Sequence, residues 1–148
     1  MESKGHILWV DDEIKLLKPH ILYLEKKGYK VTPVNTGEDA IYFCDEQHVD
    51  LILLDEMMTG LDGLTTLKKI KSKHSSLPVI MITKNEEEWL MEEAIAAQIT
   101  NYLTKPVNPS QILIACKNVL ESRKIQSDRV AKDYLQSFQG IAECIENA

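Results

Sequence analysis

Leu51-Ile52-Leu53-Leu54-Asp55 is an apolar run of strand length that ends in a carboxylate. Three other runs have the same form: Ile7-Leu8-Trp9-Val10 before Asp11 and Asp12, Val79-Ile80-Met81-Ile82 before Thr83, and Tyr102-Leu103-Thr104 before Lys105. Segments with helical period separate these runs, which predicts parallel strands in alternating βα units. Because such sheets bind ligands at the carboxyl ends of their strands, we expect the terminal polar residues to meet in one site.

The segments between the strands predict five helices and one further strand. In the first helix, apolar residues recur at three- and four-residue spacing from Ile14 to Leu24, and Gly28 is suited to follow its end. Lys30–Val34 is predicted as a second, shorter strand. The other helices are predicted after Thr36, after Asp62-Gly63, near Asn85 and at Pro109. Strict alternation of five strands and five helices predicts an α/β fold, a doubly wound parallel sheet with strand order 2-1-3-4-5.

Composition limits the partners and the location. The chain has 148 residues and no Pro-, Gly- or Ser-rich linker, so one domain is predicted. The net charge of −6 argues against direct binding to nucleic acid or an anionic membrane. With no signal peptide and no apolar stretch near the roughly 20 residues that span a bilayer, a cytoplasmic location is expected. The spacing of Cys44, Cys116 and Cys144 predicts neither a disulfide framework nor a zinc site.

Three carboxylates, one hydroxyl and one ammonium at neighbouring strand ends indicate a phosphorylation site. Asp11, Asp12 and Asp55 would raise one another's pKa unless a cation neutralised them, and Mg²⁺ suits an all-oxygen ligand set. Asp55 can then act as a nucleophile toward phosphorus. Lys105 as a cation and Thr83 as a hydrogen-bond donor can stabilise the transferred phosphoryl group.

Residues 5–122 resemble the receiver domain of two-component response regulators. The matching residues, in chain order, are Asp11-Asp12, Asp55, Asp62-Gly63, Thr83, Tyr102 and Lys105-Pro106. The resemblance implies a flavodoxin-like fold and an aspartyl phosphate on Asp55, with a sensor histidine kinase as phosphodonor. It also implies that Asp12, Asp55 and the backbone carbonyl of Met57 bind the metal directly, and that Asp11 binds it through water. Such a domain catalyses only its own phosphorylation and dephosphorylation.

The same resemblance assigns the switch. Thr83 is expected to move toward the phosphate and Tyr102 to swing inward, which changes the face made by the fourth helix, the fifth strand and the fifth helix. A cis peptide is expected before Pro106. Receivers usually carry x-x-Met-Pro after the nucleophile, whereas Glu56-Met57-Met58-Thr59 stands here, so a less rigid loop is expected. Met57 and Asn85 would flank the path of the hydrolytic water, and Met57 cannot orient it, so a long-lived aspartyl phosphate is expected.

Simpler roles remain open for some of these residues, as do two other functions. Asp11 or Asp12 could cap the following helix, and Lys105 could lie at the surface. A hydrolase of the haloacid dehalogenase type would need a second Asp where Met57 stands, and a degenerate receiver that only binds partners would lack an acid or the lysine. The four histidines, His6, His20, His48 and His74, show no ligand or relay spacing and are given no role.

The last residues, 123–148, are predicted to form a helical extension after a receiver domain at 1–122. Val130, Tyr134, Phe138, Ile141 and Ile145 make an apolar stripe, which indicates packing on a further domain or a homodimer. The motifs resemble regulators of the PorX type, in which a receiver and a helical region precede an alkaline-phosphatase-like output domain. A fragment that ends in the start of a linker is therefore expected. The alternatives are a free-standing receiver that acts as a phosphorelay or protein-binding adaptor and, third, a DNA-binding output.

Overall fold

A computed structural model describes residues 3–56, 58, 60–84 and 98–146, with side chains in the last helix described for 109–126, 128–133 and 135. The strands are β1 (His6–Val10), β2 (Lys30–Val34), β3 (Leu51–Asp55), β4 (Val79–Thr83) and β5 (Asn101–Thr104). The helices are a 3-10 helix (Ile14–Leu17), α1 (Lys18–Lys26), α2 (Gly37–Glu46), α3 (Gly63–Lys73) and the C-terminal helix (Pro109–Glu146). The fourth helix predicted near Asn85 falls outside the described residues.

All five strands pair in parallel in the order β2-β1-β3-β4-β5, which confirms the predicted flavodoxin-like doubly wound sheet. Side chains alternate along each strand, so Leu8 and Val10 face one layer while Ile7 and Trp9 face the other. The first layer packs on α2 and α3, and the second on α1 and the C-terminal helix. Both faces of the sheet are thus covered, which explains why the central strands β1, β3 and β4 are almost entirely apolar.

The helix boundaries follow local chemistry. The Thr36 side chain accepts the backbone N–H of Asp39, and the Asp62 side chain accepts that of Thr65, so both predicted helix starts are confirmed. Gly28 has a φ of +102°, a conformation that favours glycine, which confirms its place after the first helix. The first helix differs from the prediction because Ile14–Leu17 is 3-10 and the α-helix starts at Lys18. Pro19 accounts for this start, since proline is tolerated only in the first turn of an α-helix.

The C-terminal helix crosses the predicted boundary at residue 122 without a break. Its first part packs on the sheet through Ile112, Ala115 and Cys116. Every side chain described between 124 and 135 is exposed. None of the helices in the described part of the chain has the length and apolar composition that a membrane span needs.

Two of the three cysteines have described side chains. Cys44 and Cys116 are buried thiols without a disulfide. Burial raises the pKa of Cys44 to about 11 and that of Cys116 to about 12, so both stay protonated at neutral pH. The side chain of Cys144 lies outside the described set.

Candidate functional site

Four strand ends bring the predicted site residues to one edge of the sheet. Asp55 is the last residue of β3 and Thr83 the last of β4, while Asp11 and Lys105 directly follow β1 and β5. The parallel register sets Val10 opposite Leu54, Asp55 opposite Ile82 and Thr83 opposite Thr104. The strands therefore end at nearly the same level, and their terminal residues lie at one edge of the sheet.

Asp11, Asp12 and Asp55 form an acidic cluster in which one oxygen of each lies within 4.8 Å of the others. Asp55 is 1% exposed and Asp11 is 4% exposed, whereas Asp12 is half-buried. Three carboxylates this close repel one another unless a cation neutralises them. The donor set is entirely oxygen, which is what Mg²⁺ prefers, so the residues present fit the expected metal.

Burial and neighbouring charges set the protonation of the cluster. Burial is the main cause that raises the pKa of Asp11. The charges of Asp55 and Asp12 raise it further, whereas the backbone N–H of Glu13 and the charge of Lys105 lower it. That Glu13 N–H donates to Asp11 Oδ1 at 2.8 Å. Lys105 Nζ lies 2.9 Å from Asp55 Oδ1. Burial lowers the pKa of Lys105, but its hydrogen bond to Asp55 and the charge of Asp55 outweigh burial and leave the pKa raised. Lys105 is therefore a permanent cation beside the predicted nucleophile.

The Thr83 hydroxyl donates a hydrogen bond to Oε2 of Glu56, the residue after Asp55. Thr83 is 1% exposed and Glu56 is half-buried. Glu56 was given no role from the sequence, because a single acid in a loop has no periodicity that marks it. The only sequence signal is its position, directly after the nucleophile.

Gly63 fixes the loop that carries Glu56. Its N–H donates to the Glu56 carbonyl at 3.1 Å. A Cβ on Gly63 would lie 2.4 Å from the backbone oxygen of Asp55 and 2.8 Å from Glu56 Cα, so only glycine allows this close approach. The Asp62-Gly63 pair thus starts α3 and holds the end of β3 in place.

The remaining predicted site residues are placed in part. The Lys105–Pro106 peptide is cis, as expected. Tyr102 lies on β5 with 36% of its surface exposed, and its role as a switch residue stays a prediction. Met57, Thr59 and Asn85 lie outside the described residues, so the carbonyl ligand and the water path stay predictions too.

A cavity of about 620 Å³ adjoins the acidic cluster, and its lining includes Asp11, Lys105, Trp9, Leu17 and His20. His20 was given no role from the sequence, yet its Nε2 donates to the Val107 carbonyl at 3.0 Å. This bond ties α1 to the loop that follows Lys105. No spacing in the sequence could show it, since the two residues are 87 positions apart.

Comparison with known proteins decides the family. Residues 7–117 match the family model of the response regulator receiver domain, which is most of the chain. The chain belongs to this family. Receiver domains of two-component systems are phosphorylated on Asp by sensor histidine kinases and bind Mg²⁺ at an acidic pocket.

Individual relatives show how much of a regulator the chain covers. It is 35% identical over 118 residues to the transcriptional regulatory protein ResD of Bacillus subtilis, which is 80% of this chain and 49% of ResD. It is 31% identical over 140 residues to the cyclic di-GMP phosphodiesterase response regulator RpfG of Xanthomonas campestris pv. campestris, covering 92% of this chain and 37% of RpfG. The chain thus spans half or less of the length of these two relatives.

Among solved structures, the CheY-like receiver domain protein of Methanospirillum hungatei matches with a TM-score of 0.75 at 26% identity. The match covers 82% of this chain and 98% of that structure. The similarity therefore extends over a whole receiver domain.

Proposed function

We propose that this chain is a phosphorylation-activated receiver in which Asp55 accepts a phosphoryl group from a sensor histidine kinase in a Mg²⁺-dependent reaction. One observation carries the proposal: three carboxylates lie within 4.8 Å of one another, and Lys105 Nζ lies 2.9 Å from Asp55. Three carboxylates this close together, with an ammonium beside the buried one, are suited to phosphoryl transfer. They have no evident role in stabilising the fold.

The transfer needs few groups. An Asp55 carboxylate oxygen attacks phosphorus, the P–N bond of the phosphohistidine breaks, and the imidazole nitrogen keeps the electron pair. Asp11, Asp12 and Asp55 would hold the divalent ion, which neutralises charge on the carboxylates and the phosphoryl oxygens when bound. Lys105 would hold a phosphoryl oxygen, because its ammonium already lies against Asp55.

The aspartyl phosphate then biases a two-state switch. Phosphorylation adds roughly −1.5 to −2 charge and three strong acceptors at the edge of the sheet. We assign Thr83 and Tyr102 as the residues that respond, with β5, the C-terminal helix and the predicted fourth helix as the face that changes. The 36% exposure of Tyr102 supports this assignment, since a side chain at the surface can become buried on activation.

Asp55→Asn tests the proposal because it removes the nucleophile and keeps the side-chain shape. The variant should take no label from radiolabelled acetyl phosphate with Mg²⁺, whereas wild type should be labelled as acetate leaves. Asp128→Asn, an exposed site on the C-terminal helix, is the matched control and should label like wild type. A folded Asp55→Asn protein that takes up label would show that Asp55 is not the acceptor.

The output is proposed from the C-terminal helix. We take residues 1–122 as the phosphorylated unit and 123–148 as the segment that transmits its state, through a homodimer or to an output domain. The exposed side chains between 124 and 135 support this, since they leave the helix open to a partner. An output of the PorX type stays a sequence-based prediction, because ResD and RpfG are named for two other outputs.

A further inference from the structure

Glu56 contacts the residue that the switch depends on. Its Oε2 accepts the hydrogen bond of the Thr83 hydroxyl, and Thr83 is buried at the end of β4. A buried hydroxyl without a partner is unfavourable, so this bond stabilises the position that Thr83 now has.

The backbone of Glu56 is held on both sides. Its N–H donates to the Ile82 carbonyl of β4 at 3.0 Å, and its carbonyl accepts the Gly63 N–H at 3.1 Å. Gly63 packs closely here, because a Cβ on it would lie 2.8 Å from Glu56 Cα. The Glu56 backbone is therefore held beside the end of β4, and from there the side chain reaches the Thr83 hydroxyl.

The Glu56 carboxylate accepts from Thr83 and lies outside the acidic cluster. Among the described residues, the acidic cluster consists of Asp11, Asp12 and Asp55, and Glu56 does not join it.

We infer that Glu56 is a competing acceptor, which holds the Thr83 hydroxyl in the unphosphorylated state and so sets how readily the switch turns on. The inference rests on the proposed function, since it needs a phosphoryl group on Asp55. A threonine hydroxyl has one proton to donate, so its bonds to Glu56 and to a phosphoryl oxygen exclude each other. The negative charge of Glu56 also opposes a phosphoryl group nearby. Glu56 thus favours the inactive state.

Two variants of equal side-chain length isolate the hydrogen bond. Glu56→Gln keeps an acceptor oxygen without the charge, whereas Glu56→Met removes the acceptor. In the protein without Mg²⁺ or phosphodonor, NMR couplings to the Thr83 methyl group should report one rotamer in wild type and in Glu56→Gln. In Glu56→Met they should report averaging between rotamers, because the Glu56 carboxylate no longer accepts from the hydroxyl. A single unchanged rotamer in Glu56→Met would overturn the inference.

Titration with beryllofluoride in saturating Mg²⁺ measures the consequence for the switch. Glu56→Met should bind about tenfold more tightly than wild type, which corresponds to about 1.4 kcal/mol. Glu56→Gln should shift by clearly less, because it still holds Thr83. An equal shift in the two variants would assign the effect to charge and overturn the proposed hydrogen-bond competition.

A double-mutant cycle with Thr83→Val measures whether the effect of Glu56 on beryllofluoride affinity depends on the Thr83 hydroxyl. If Glu56 acts through the hydroxyl, Glu56→Met should change beryllofluoride affinity little in the Thr83→Val background. A tenfold shift that persists there would overturn the inference. A wild-type protein that accepts neither phosphoryl nor beryllofluoride contradicts the proposed function, whereas responsive wild type with indifferent Glu56 variants contradicts this inference alone.

Discussion

At the scale of single residues, the site is a group of like charges with the Lys105 ammonium beside Asp55. The Asp55 side chain is 2% exposed, and the Lys105 side chain beside it is 25% exposed. Removal of one partner of a buried ion pair leaves the other charge without compensation, and this costs more than the pair contributes. The net effect of Lys105 on folding therefore depends on whether another cation can replace it.

Lys105→Ala should lower the free energy of unfolding measured in EDTA by about 1 to 3 kcal/mol, less than for a fully buried pair because Lys105 is partly solvated. Mg²⁺ should restore part of the loss, since a bound divalent ion neutralises the same carboxylates. The variant should still bind Mg²⁺ but fail to couple phosphorylation to a structural change. Urea unfolding with Lys117→Ala, an exposed lysine, as control measures the first effect. Equal stabilities of the two variants in EDTA would contradict it.

At the scale of elements, the sequence predicts the buried strands and the helix starts, because a single physical requirement selects the residue type at each of these positions. The strands β1, β3 and β4 are apolar because both faces of the sheet are covered, and the polar residue at each end marks the site edge. Thr36, Asp62 and Pro109 mark helix starts because capping and proline geometry depend on local sequence alone.

Contacts across loops could not be predicted in the same way. The bond of Glu56 to Thr83 and that of His20 to the Val107 carbonyl each join a loop residue to a separate element, β4 in the first case and α1 in the second. Neither contact repeats with the period of a helix or strand, so the sequence pattern carries no trace of it. The start of α1 was misplaced for a related reason, because the apolar spacing from Ile14 continues through a 3-10 helix.

Asp62 tests the link between helix capping and pH. The backbone N–H of Thr65 is the main cause that lowers the pKa of Asp62, and it donates to Asp62 Oδ1 at 2.8 Å. Asp62→Ala should reduce stability at pH 7 by about 1 kcal/mol through loss of the cap. A lowered folded-state pKa stabilises above the unfolded value of about 3.9, and this contribution is lost as the pH falls through the folded pKa. The difference between wild type and Asp62→Ala should therefore shrink in acid.

Asp62→Asn is the control for this prediction, because asparagine keeps a capping oxygen that does not titrate in this range. Urea unfolding at pH 7, 4 and 3 compares the three proteins. A difference between wild type and Asp62→Ala that stays constant over this pH range would contradict the assignment of Asp62 as an ionised cap.

At the scale of the whole molecule, one continuous helix joins the receiver core to residues 124–135, whose described side chains are exposed. Ile112 and Cys116 are fully buried in its first turns, while Val130 and Leu135 further along are 69% and 64% exposed. The Arg123 guanidinium donates to the Asp50 carbonyl at 2.8 Å and marks the last side-chain hydrogen bond described between this helix and the domain. A change at the sheet edge can reach the exposed segment through this helix without any flexible linker between them.

The exposed segment should mediate a homodimer that phosphorylation strengthens. Burial of the stripe that begins at Val130 would contribute about 1.5 to 3 kcal/mol per apolar side chain before the cost of association. Two-fold pairing places the same stripe on both partners. Beryllofluoride with Mg²⁺ should shift the dimer affinity by the difference in contacts between the inactive and the activated state. Light scattering after gel filtration should show more dimer in the activated protein, and removal of residues 127–148 should abolish the shift while sparing Arg123.

Val130→Glu and Leu135→Glu provide the matched pair for the dimer. Both positions are exposed on the same helix, but Leu135 lies about 140° around the helix from Val130 and so outside the stripe. Val130→Glu should weaken the activated dimer, because pairing would bury its charge, whereas Leu135→Glu should leave it unchanged. Equal behaviour of the two variants, or a monomer in both activation states, would mean that the stripe does not pair two copies and that the helix transmits the switch to a different partner.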